Sequence, residues 1–301
     1  MANEIESTKS ELKEVVVSDG QVIRMQDIGF SYGKKPLFSH LSLQIKRGNI
    51  YGLLGKNGSG KTTLLKLLCG QLFPQEGYTS VLGFDPILRK PEMLSEVFYL
   101  PEEFPLPKMK ASEYLKMNSV FYPRFDHPMF VQFCKDFDLD MSQNLNEMSL
   151  GQKKKLLLAF GLASNTSLLI LDEPTNGLDI PSKREFRQTV ASAMTENRTF
   201  IISTHQVRDM ENLIDPLIIL HEGAIIFNDA VDSITAKYVM NLTTTNPADD
   251  AGVVYQEKVL GGWMVLKERE ETDESQGQPL DLETLFNVVI ENPTLMQGGV
   301  L

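Results

Sequence analysis

The sequence predicts an α/β fold built around a mostly parallel sheet. Short apolar runs alternate along the chain with segments of helical periodicity, which is typical of parallel strands joined by helices. SLLILDEP at 167–174 contains a short apolar run that is typical of a buried parallel strand, and TFIISTH at 199–205 contains another apolar run. A third stretch, 41–55, holds two strand-like pieces around a turn and ends in a glycine-rich loop.

The bulk composition limits the classes of partner and compartment. The chain has 301 residues and a net charge of −11, and that charge argues against nucleic acid as the main partner. No run approaches the roughly 18 apolar residues of a membrane span, and the first residues lack the apolar core of a signal peptide. The two cysteines, Cys69 and Cys134, predict buried, reduced thiols rather than a disulfide framework or a metal site.

Changes in character along the chain divide it into three parts. Residues 1–20 are polar and charged and predict a flexible tail. Residues 21–230 carry the strands and helices, interrupted at about 101–155 by a proline-broken, aromatic-rich stretch that predicts a helical insertion. Residues 231–301 form a C-terminal extension, in which the acidic segment 268–279 predicts a linker or exposed loop before a terminal helix. The extension is either a small regulatory or dimerising lobe or a partly ordered tail.

A phosphate-binding loop is predicted by the sequence GKNGSGKTT, which fits G-x-x-x-x-G-K-[ST] between a strand and a helix. Glycines let backbone N–H groups converge on phosphate oxygens, and the helix N-terminus adds partial positive charge. Lys61 is expected to reach the β- and γ-phosphates, and the Thr62 hydroxyl to bind Mg²⁺. A glycine-rich turn capping a helix is the alternative, but a chance match is on the order of one in a hundred. The predicted nucleotide-binding residues of this loop are Gly55, Lys56, Asn57, Gly58, Ser59, Gly60, Lys61, Thr62 and Thr63.

Two carboxylates follow the strand in LLILDEP, at the edge of a parallel sheet where ligands bind. Asp172 is expected to hold Mg²⁺, and Glu173 to orient and deprotonate the attacking water. Two adjacent like charges need a cation nearby, which Mg²⁺ would supply; a strand that ends in a polar turn is the alternative. His205 ends the next strand and is expected to contact the γ-phosphate, although a single histidine is more often structural.

The stretch NEMSLGQKKKL at 146–156 places three lysines at the start of a predicted helix. Positive charge at a helix N-terminus opposes the helix dipole, so a negative group is expected nearby. The three lysines point in different directions around a helix, so they cannot all face one group.

The order of these motifs resembles that of the nucleotide-binding subunits of ATP-binding cassette (ABC) transporters. The similarity covers roughly 22–228 and runs from the phosphate loop through the insertion and Ser-x-Gly-Gln to LLILDEPTNGLD and STH. It implies a P-loop NTPase core with a mostly parallel sheet, an N-terminal antiparallel β subdomain and a helical insertion, to which a small C-terminal extension is added. SLGQKKKL and YPRFD resemble the export branch with separate membrane subunits, of the kind linked to peptide antibiotics and multidrug efflux.

The resemblance implies an ATPase that uses ATP and Mg²⁺ and works as a pair. In that family two cassettes pair head-to-tail, as homo- or heterodimers, and the signature sequence of one closes on the ATP of the other. Ser149, Gly151 and Gln152 resemble that signature. Asp179 resembles the loop aspartate that communicates across the pair. Tyr32 resembles the aromatic that stacks on adenine, or it is simply an aromatic on a strand face.

The resemblance also implies an integral-membrane transporter subunit as partner. The chain is then expected in the cytoplasm, at the inner face of the cell membrane and held there by that partner. Apolar side chains of the insertion are expected to line the groove for the partner, or else to form the core of the insertion itself. These side chains are Phe104, Leu106, Tyr114, Phe121 and Tyr122.

Three departures from the family pattern are Leu150, Glu102 and the C-terminal extension, which exceeds the length of a minimal cassette. Leu150 stands where the common signature has glycine, and we expect it in ordinary backbone space, where leucine is harmless. Glu102 stands where the family has a glutamine that contacts Mg²⁺ and the attacking water. It is expected to act as a modified sensor and metal ligand, or it is a solvated loop charge. Lys155 takes the place of a common arginine, whereas Lys153 and Lys154 are expected to be solvated.

Two other classes of function were weighed against the transport motor. A soluble, non-transport ABC ATPase that acts as a regulatory or assembly factor remains the alternative, although translation factors of this type usually carry two cassettes in one chain. A small-molecule kinase or GTPase is disfavoured by SLGQ and by the lack of an Asn-Lys-x-Asp guanine motif.

Overall fold

A computed structural model of the chain describes residues 20–247, 252–269 and 281–293. The strands in these residues are β1 (Gln21–Tyr32), β2 (Lys35–Lys46), β3 (Ile50–Leu54), β4 (Glu76–Val81), β5 (Val97–Leu100), β6 (Leu168–Asp172), β7 (Thr199–Thr204), β8 (Leu217–His221), β9 (Ala224–Asp229), β10 (Tyr238–Thr243), β11 (Val253–Val259) and β12 (Gly262–Glu268). The α-helices are α1 (Lys61–Leu68), α2 (Pro91–Leu94), α3 (Ala111–Asn118), α4 (His127–Asp136), α5 (Leu150–Ala163), α6 (Ile180–Ser192), α7 (Val231–Thr235) and α8 (Leu282–Glu291).

The central sheet has six strands in the order β5-β6-β7-β3-β8-β9, and all neighbours are parallel except β8 and β9. The predicted mostly parallel sheet is therefore confirmed. Its register places Leu54 opposite Thr204 and Asp172 opposite Ser203. The strands β3, β6 and β7 thus end level with one another, and the residues that follow them meet at one edge of the sheet.

An antiparallel sheet, β2-β1-β4, forms the N-terminal part of the fold, as the resemblance implied. The apolar side chains of β1 and β2 share one buried cluster with the face of α1 that carries Leu64, Leu65 and Leu68. Burying that apolar face fixes α1 between the two sheets, with its N-terminus at the edge of the central sheet. The glycine-rich loop is held there between β3 and α1.

The insertion is a helical layer formed by α3, α4 and α5, and aromatic side chains build its core. The ring of Phe160 on α5 lies 5.8 Å from that of Tyr114, 5.8 Å from that of Tyr122 and 4.9 Å from that of Phe125, measured between centroids. Tyr114 and Tyr122 therefore contribute to the interior of the insertion, whereas Phe121 is 67% exposed. Phe104 and Leu106 are partly buried and pack against the core.

The described part of the C-terminal extension folds as an antiparallel sheet, β10-β12-β11, followed by α8. The apolar face of α8 carries Leu285, Val288 and Val289, which join the main core cluster with Val207 and Met210. The described residues of the extension thus form a lobe packed on the α/β core rather than an unfolded tail. The predicted N-terminal tail, except Gly20, and most of the predicted acidic linker lie outside the described residues.

The cysteines and the helices bear on the expected compartment and on membrane spanning. The expectation of buried, reduced thiols agrees with the structure, in which Cys69 and Cys134 are both buried and unpaired. Of the helices that the structure describes, none combines the length and apolar composition needed to cross a bilayer.

Candidate functional site

The glycine-rich loop after β3 has a backbone that only glycine adopts easily. Gly58 and Gly60 have φ values of 82° and 108°, in the left-handed region. A Cβ on Gly60 would also lie 2.7 Å from the ring of Phe38, and one on Gly55 would lie 2.6 Å from the carbonyl oxygen of Leu220. The loop is thus shaped to expose backbone N–H groups in front of α1.

Lys61 opens α1 and is buried at the centre of the site. Its Nζ atom donates to the carbonyl oxygen of Gly55 at 2.8 Å and lies 3.5 Å from Oε1 of Glu173. The ammonium group therefore joins the glycine-rich loop to the end of β6. Because it is held at the rim of the loop, it can balance negative charge on a bound phosphate.

Asp172 ends β6 and is almost fully buried. Its Oδ2 atom accepts hydrogen bonds from the Thr62 hydroxyl at 2.7 Å and the Tyr99 hydroxyl at 3.3 Å, and Oδ1 accepts one from the Ser203 hydroxyl. Burial and the nearby Asp172 carboxylate raise the pKa of Tyr99, so Tyr99 stays a hydrogen-bond donor. Three neutral donors thus orient this carboxylate, and the hydrogen bond from Thr62 brings together the two residues expected to bind Mg²⁺.

Glu173 follows in a left-handed conformation, with a φ of 46° that is uncommon for a residue with a side chain. Its backbone N–H donates to both the carbonyl oxygen and the hydroxyl of Ser203, each at 3.1 Å. This turn directs the side chain toward Lys61 and His205. The Nδ1 atom of His205 lies 2.8 Å from Oε1 of Glu173.

These groups surround a cleft of about 600 Å³ at the edge of the central sheet. Predicted residues that line it are Tyr32, Asn57, Gly58, Gly60, Lys61, Thr62, Thr63, Glu102, Glu173 and His205. Lining residues without a prediction are Lys35, Pro36, Leu37 and Asn176. The predicted residues Ser149, Gly151, Gln152 and Asp179 do not line the cleft.

Glu102 reaches the cleft from the loop after β5, next to Asn176. The side-chain amide of Asn176 donates to Oε1 of Glu102 at 2.9 Å, and its oxygen accepts from Gln206 at 3.3 Å. Asn176 thus connects Glu102 with the turn after β6. Asn176 was not predicted as a site residue, although it lies within the motif DEPTNGLD, because an asparagine in a turn gives no sign of its tertiary partner.

Ser149 is the N-cap of α5 and forms a capping box with Gln152. The Ser149 hydroxyl accepts from the Gln152 N–H at 3.2 Å, and the Gln152 side chain accepts from the Ser149 N–H at 2.9 Å. Leu150 is the first residue of α5, with a side chain that is 56% exposed and no left-handed backbone. The expectation that leucine is harmless there is confirmed.

The lysines after the signature differ from the prediction at one position. Lys155 pairs with Glu185 of α6 at 2.8 Å. Lys154 was expected to be solvated, and this was wrong: it is 4% exposed, and its Nζ donates to the carbonyl oxygens of Glu173 at 3.2 Å and Asn176 at 2.6 Å. Periodicity alone did not reveal which of three adjacent lysines faces the interior, since none of them is apolar.

Two further predicted residues have local roles that the structure makes visible. Asp179 is the N-cap of α6 and accepts from the Ser182 N–H at 2.9 Å. Hydrogen bonding to Ser182 lowers the pKa of Asp179, so it is ionised at neutral pH. Tyr32 ends β1 at the mouth of the cleft and is 54% exposed. Its phenolic hydroxyl lies 3.1 Å from the hydroxyl of Thr63.

The donor set fits a nucleotide with a divalent cation. The Ser59 hydroxyl is buried in the loop, with no hydrogen-bond partner among the described residues. A bound phosphate oxygen would supply the missing partner. The oxygens of Thr62, Asp172 and Glu102 suit Mg²⁺. No cluster of three His, Cys, Asp or Glu side chains forms a metal site by itself in the described ranges. A cation bound here would take phosphate oxygens as ligands together with the protein oxygens.

Comparison with known proteins identifies the family. A family model described as ABC transporter matches residues 38–176. The bacitracin transport ATP-binding protein BcrA of Bacillus licheniformis is 32% identical over 212 residues, which cover 68% of each chain. The lantibiotic transport ATP-binding protein SrtF of Streptococcus pyogenes is 30% identical over 213 residues, which cover 70% of this chain and 92% of that one.

The fold agrees with that of solved cassettes. An ATP-binding subunit of an ABC transporter superposes with a TM-score of 0.65 at 22% identity, over 71% of this chain and 92% of that chain. A bacterial Atm1-family ABC exporter with ATP bound superposes with a TM-score of 0.63 at 18% identity, over 73% of this chain and 40% of that one. The motif order, the fold and the sequence identity together show that this chain belongs to the ABC transporter family, as one of its ATP-binding subunits.

Proposed function

We propose that this chain hydrolyses ATP to drive transport, in the export direction, through a separate membrane subunit. The observation that carries the proposal is the convergence of Lys61, Thr62, Asp172, Glu173 and His205 at one edge of the sheet. The names of the relatives BcrA and SrtF, which refer to bacitracin and lantibiotic transport, support the choice of process.

Glu173 acts as the general base in this proposal. Its carboxylate accepts a proton from water as the water oxygen bonds to the γ-phosphorus and the bond from that phosphorus to the β–γ bridging oxygen breaks, releasing ADP and phosphate. Lys61 and the loop N–H groups balance the negative charge of the phosphates. The imidazole of His205, held at 2.8 Å, fixes the orientation of the Glu173 carboxylate.

Mg²⁺ fits next to the phosphates, with Thr62 and Asp172 as the residues that would hold it and Glu102 as a further oxygen ligand. When bound, the cation neutralises charge on the phosphate oxygens. Thr62 and Asp172 are already oriented by their mutual hydrogen bond of 2.7 Å. Tyr99 and Ser203 hold Asp172 from its other sides.

Two chains pair head-to-tail around two nucleotides in this proposal. Ser149 and Gly151 lie at the start of α5 and do not line the cleft of their own chain. A helix N-terminus with its capping hydroxyl suits a phosphate brought by another chain. A symmetric pair would then complete two sites, each with a cleft from one chain and a signature from the other.

The membrane subunit contacts the helical insertion in this proposal. The end of α3 and the short turn after it expose Met117 at 58%, Val120 at 73% and Phe121 at 67%. Adjacent exposed apolar side chains of this size are typical of a protein contact. Of the five apolar residues expected to line a groove, Phe121 is the one with a largely exposed side chain.

The test combines nucleotide hydrolysis with isolation of the partner. Purified chain is expected to release phosphate from ATP in the presence of Mg²⁺, and Lys61→Ala to lose nucleotide affinity and that activity together. The tagged chain, isolated from its native host in detergent, is expected to bring an integral-membrane protein with it. Hydrolysis without any membrane partner would instead favour a soluble regulatory or assembly factor.

A further inference from the structure

Lys154 is a buried cation that the proposed chemistry does not use. Its side chain is 4% exposed, yet it lies on the polar first half of α5 and not in the cleft. A buried ammonium group is unfavourable unless its hydrogens are bonded and its charge is balanced. Burial lowers the pKa of Lys154, and the carboxylates of Glu102, Glu173 and Asp172 oppose that effect.

The two acceptors of Lys154 are the ends of a single turn. Its Nζ atom donates at 3.2 Å to the carbonyl oxygen of Glu173 and at 2.6 Å to that of Asn176. Within the turn, the N–H of Asn176 donates to the Glu173 carbonyl at 3.3 Å. The turn includes the left-handed backbone of Glu173, a conformation that the surroundings must stabilise. The ammonium group therefore closes this turn from outside.

The start of α5 contacts the same segment a few residues farther on. A Cβ added to Gly177 would lie 3.6 Å from a methyl carbon of Leu150, and one added to Gly151 would lie 3.7 Å from a methyl carbon of Leu178. The start of α5 therefore lies close to the chain that follows the turn. The helix that begins at Ser149 thus lies against the Glu173 segment at two levels, about one helical turn apart.

We propose that Lys154 is a positioning residue that ties the turn carrying Glu173 to the helix that begins with the signature sequence. A shift of the start of α5 is then transmitted to Glu173 of the same chain through two carbonyl oxygens. The role of Glu173 as base rests on the proposed function. The mechanical link rests on the hydrogen bonds alone.

This link gives the pair of chains a way to coordinate their two sites. In the proposed dimer, Ser149 contacts the nucleotide of the other chain, whereas Glu173 acts on the nucleotide of its own. Lys154 lies on the helix that Ser149 caps, and its hydrogen bonds connect that helix to the turn that carries Glu173. Asn176 extends the connection, because its side chain donates to Glu102, which also lines the cleft.

The test replaces Lys154 with methionine, which has a similar length and no donor hydrogens. Lys154→Met is expected to lower kcat for ATP about 10²-fold, the effect of a small misplacement of the base, with the KM for ATP within about twofold. Lys154→Gln keeps a neutral donor and is expected to recover part of kcat. Lys135→Met, at an exposed lysine on α4, is the matched control and is expected to behave as the wild type.

A second readout is independent of hydrolysis. In the nucleotide-free full chain, the backbone amides of residues 173–178 are expected to exchange hydrogen faster in Lys154→Met than in the wild type, and unchanged in Lys135→Met. Faster exchange in Lys154→Met, together with a wild type that does not hydrolyse ATP, would support the link and reject the proposed function. Unchanged exchange together with unchanged kcat would overturn the link, as would a rise in KM that accounts for the whole loss. If Lys154→Met does not fold, Lys154→Gln decides by the same two measurements.

Discussion

The imidazole of His205 lies 2.8 Å from the carboxylate of Glu173, and the ammonium group of Lys61 lies 3.5 Å from the same oxygen atom. Both contacts join residues that are far apart in the chain, and both depend on strands β3, β6 and β7 ending level with one another. The carboxylate therefore has a defined orientation at the edge of the cleft.

Glu173→Gln is expected to bind ATP but to hydrolyse it at least about 10²-fold more slowly, because an amide cannot accept the proton from water. Since the closed, nucleotide-bound pair cannot reopen by hydrolysis, the variant is expected to elute as a dimer when ATP is present. Phosphate release and gel filtration measure the two effects. Hydrolysis at the wild-type rate would show that Glu173 is not the base.

Thr62→Val is expected to raise the Mg²⁺ concentration needed for half-maximal ATPase activity by at least about tenfold, since it removes a hydroxyl ligand from a hard cation. The hydrogen bond from Thr62 to Asp172 is lost in the same variant. Thr62→Ser keeps the hydroxyl and is the matched control. An identical Mg²⁺ titration for the valine and serine variants would contradict the assignment of Thr62.

Glu102→Ala is expected to change both the ATPase rate and its dependence on Mg²⁺, because a carboxylate and the partner of Asn176 are removed together. Glu103→Ala, at the exposed neighbouring residue, is the control. If the rate and the Mg²⁺ titration of Glu102→Ala match those of the wild type, Glu102 is a solvated loop charge.

Phe121→Glu is expected to release the membrane subunit and to leave ATP binding unchanged, because a charge would be placed in an apolar contact. Val131→Glu, at an apolar residue on α4 that is 50% exposed, controls for added charge on the insertion. Co-purification from native membranes measures the effect. Equal recovery of the membrane subunit with both variants would reject this surface.

The two thiols are expected to react slowly in the folded protein. Burial raises the pKa of Cys134 to about 12, and burial with the nearby Asp172 carboxylate raises that of Cys69. At pH 8 only about one Cys134 thiol in 10⁴ is then ionised, and the thiolate is the reactive form. A colorimetric disulfide reagent is expected to label both residues quickly only after denaturation. Rapid labelling of the native chain would contradict this burial.

The fold was largely predictable from local patterns. Strands β6 and β7 are buried along their whole length and carry the apolar runs 168–171 and 200–202. The loop at 55–63 requires glycines at the positions of left-handed backbone. A strand, a glycine-rich loop and a helix in that order leave few ways to pack the apolar face of α1. Because ligands bind at the carboxyl edge of a parallel sheet, the placement of Asp172 and Glu173 at the ligand-binding edge also followed from the sequence. The contact of Lys61 with Glu173 was not predicted and is seen only in the structure.

The sequence by itself determined the phosphate loop, the carboxylates and the family, because each of these is encoded in adjacent residues. Only the tertiary structure decided what Lys154 and Asn176 do, since their partners come from other elements: Glu173 and Asn176 for the lysine, and Glu102 for the asparagine. Three successive lysines look alike in a sequence, and the rotation of about 100° per helical residue turns one of them inward. The packing of α5 on the sheet determines which lysine faces inward, and that packing depends on the whole core.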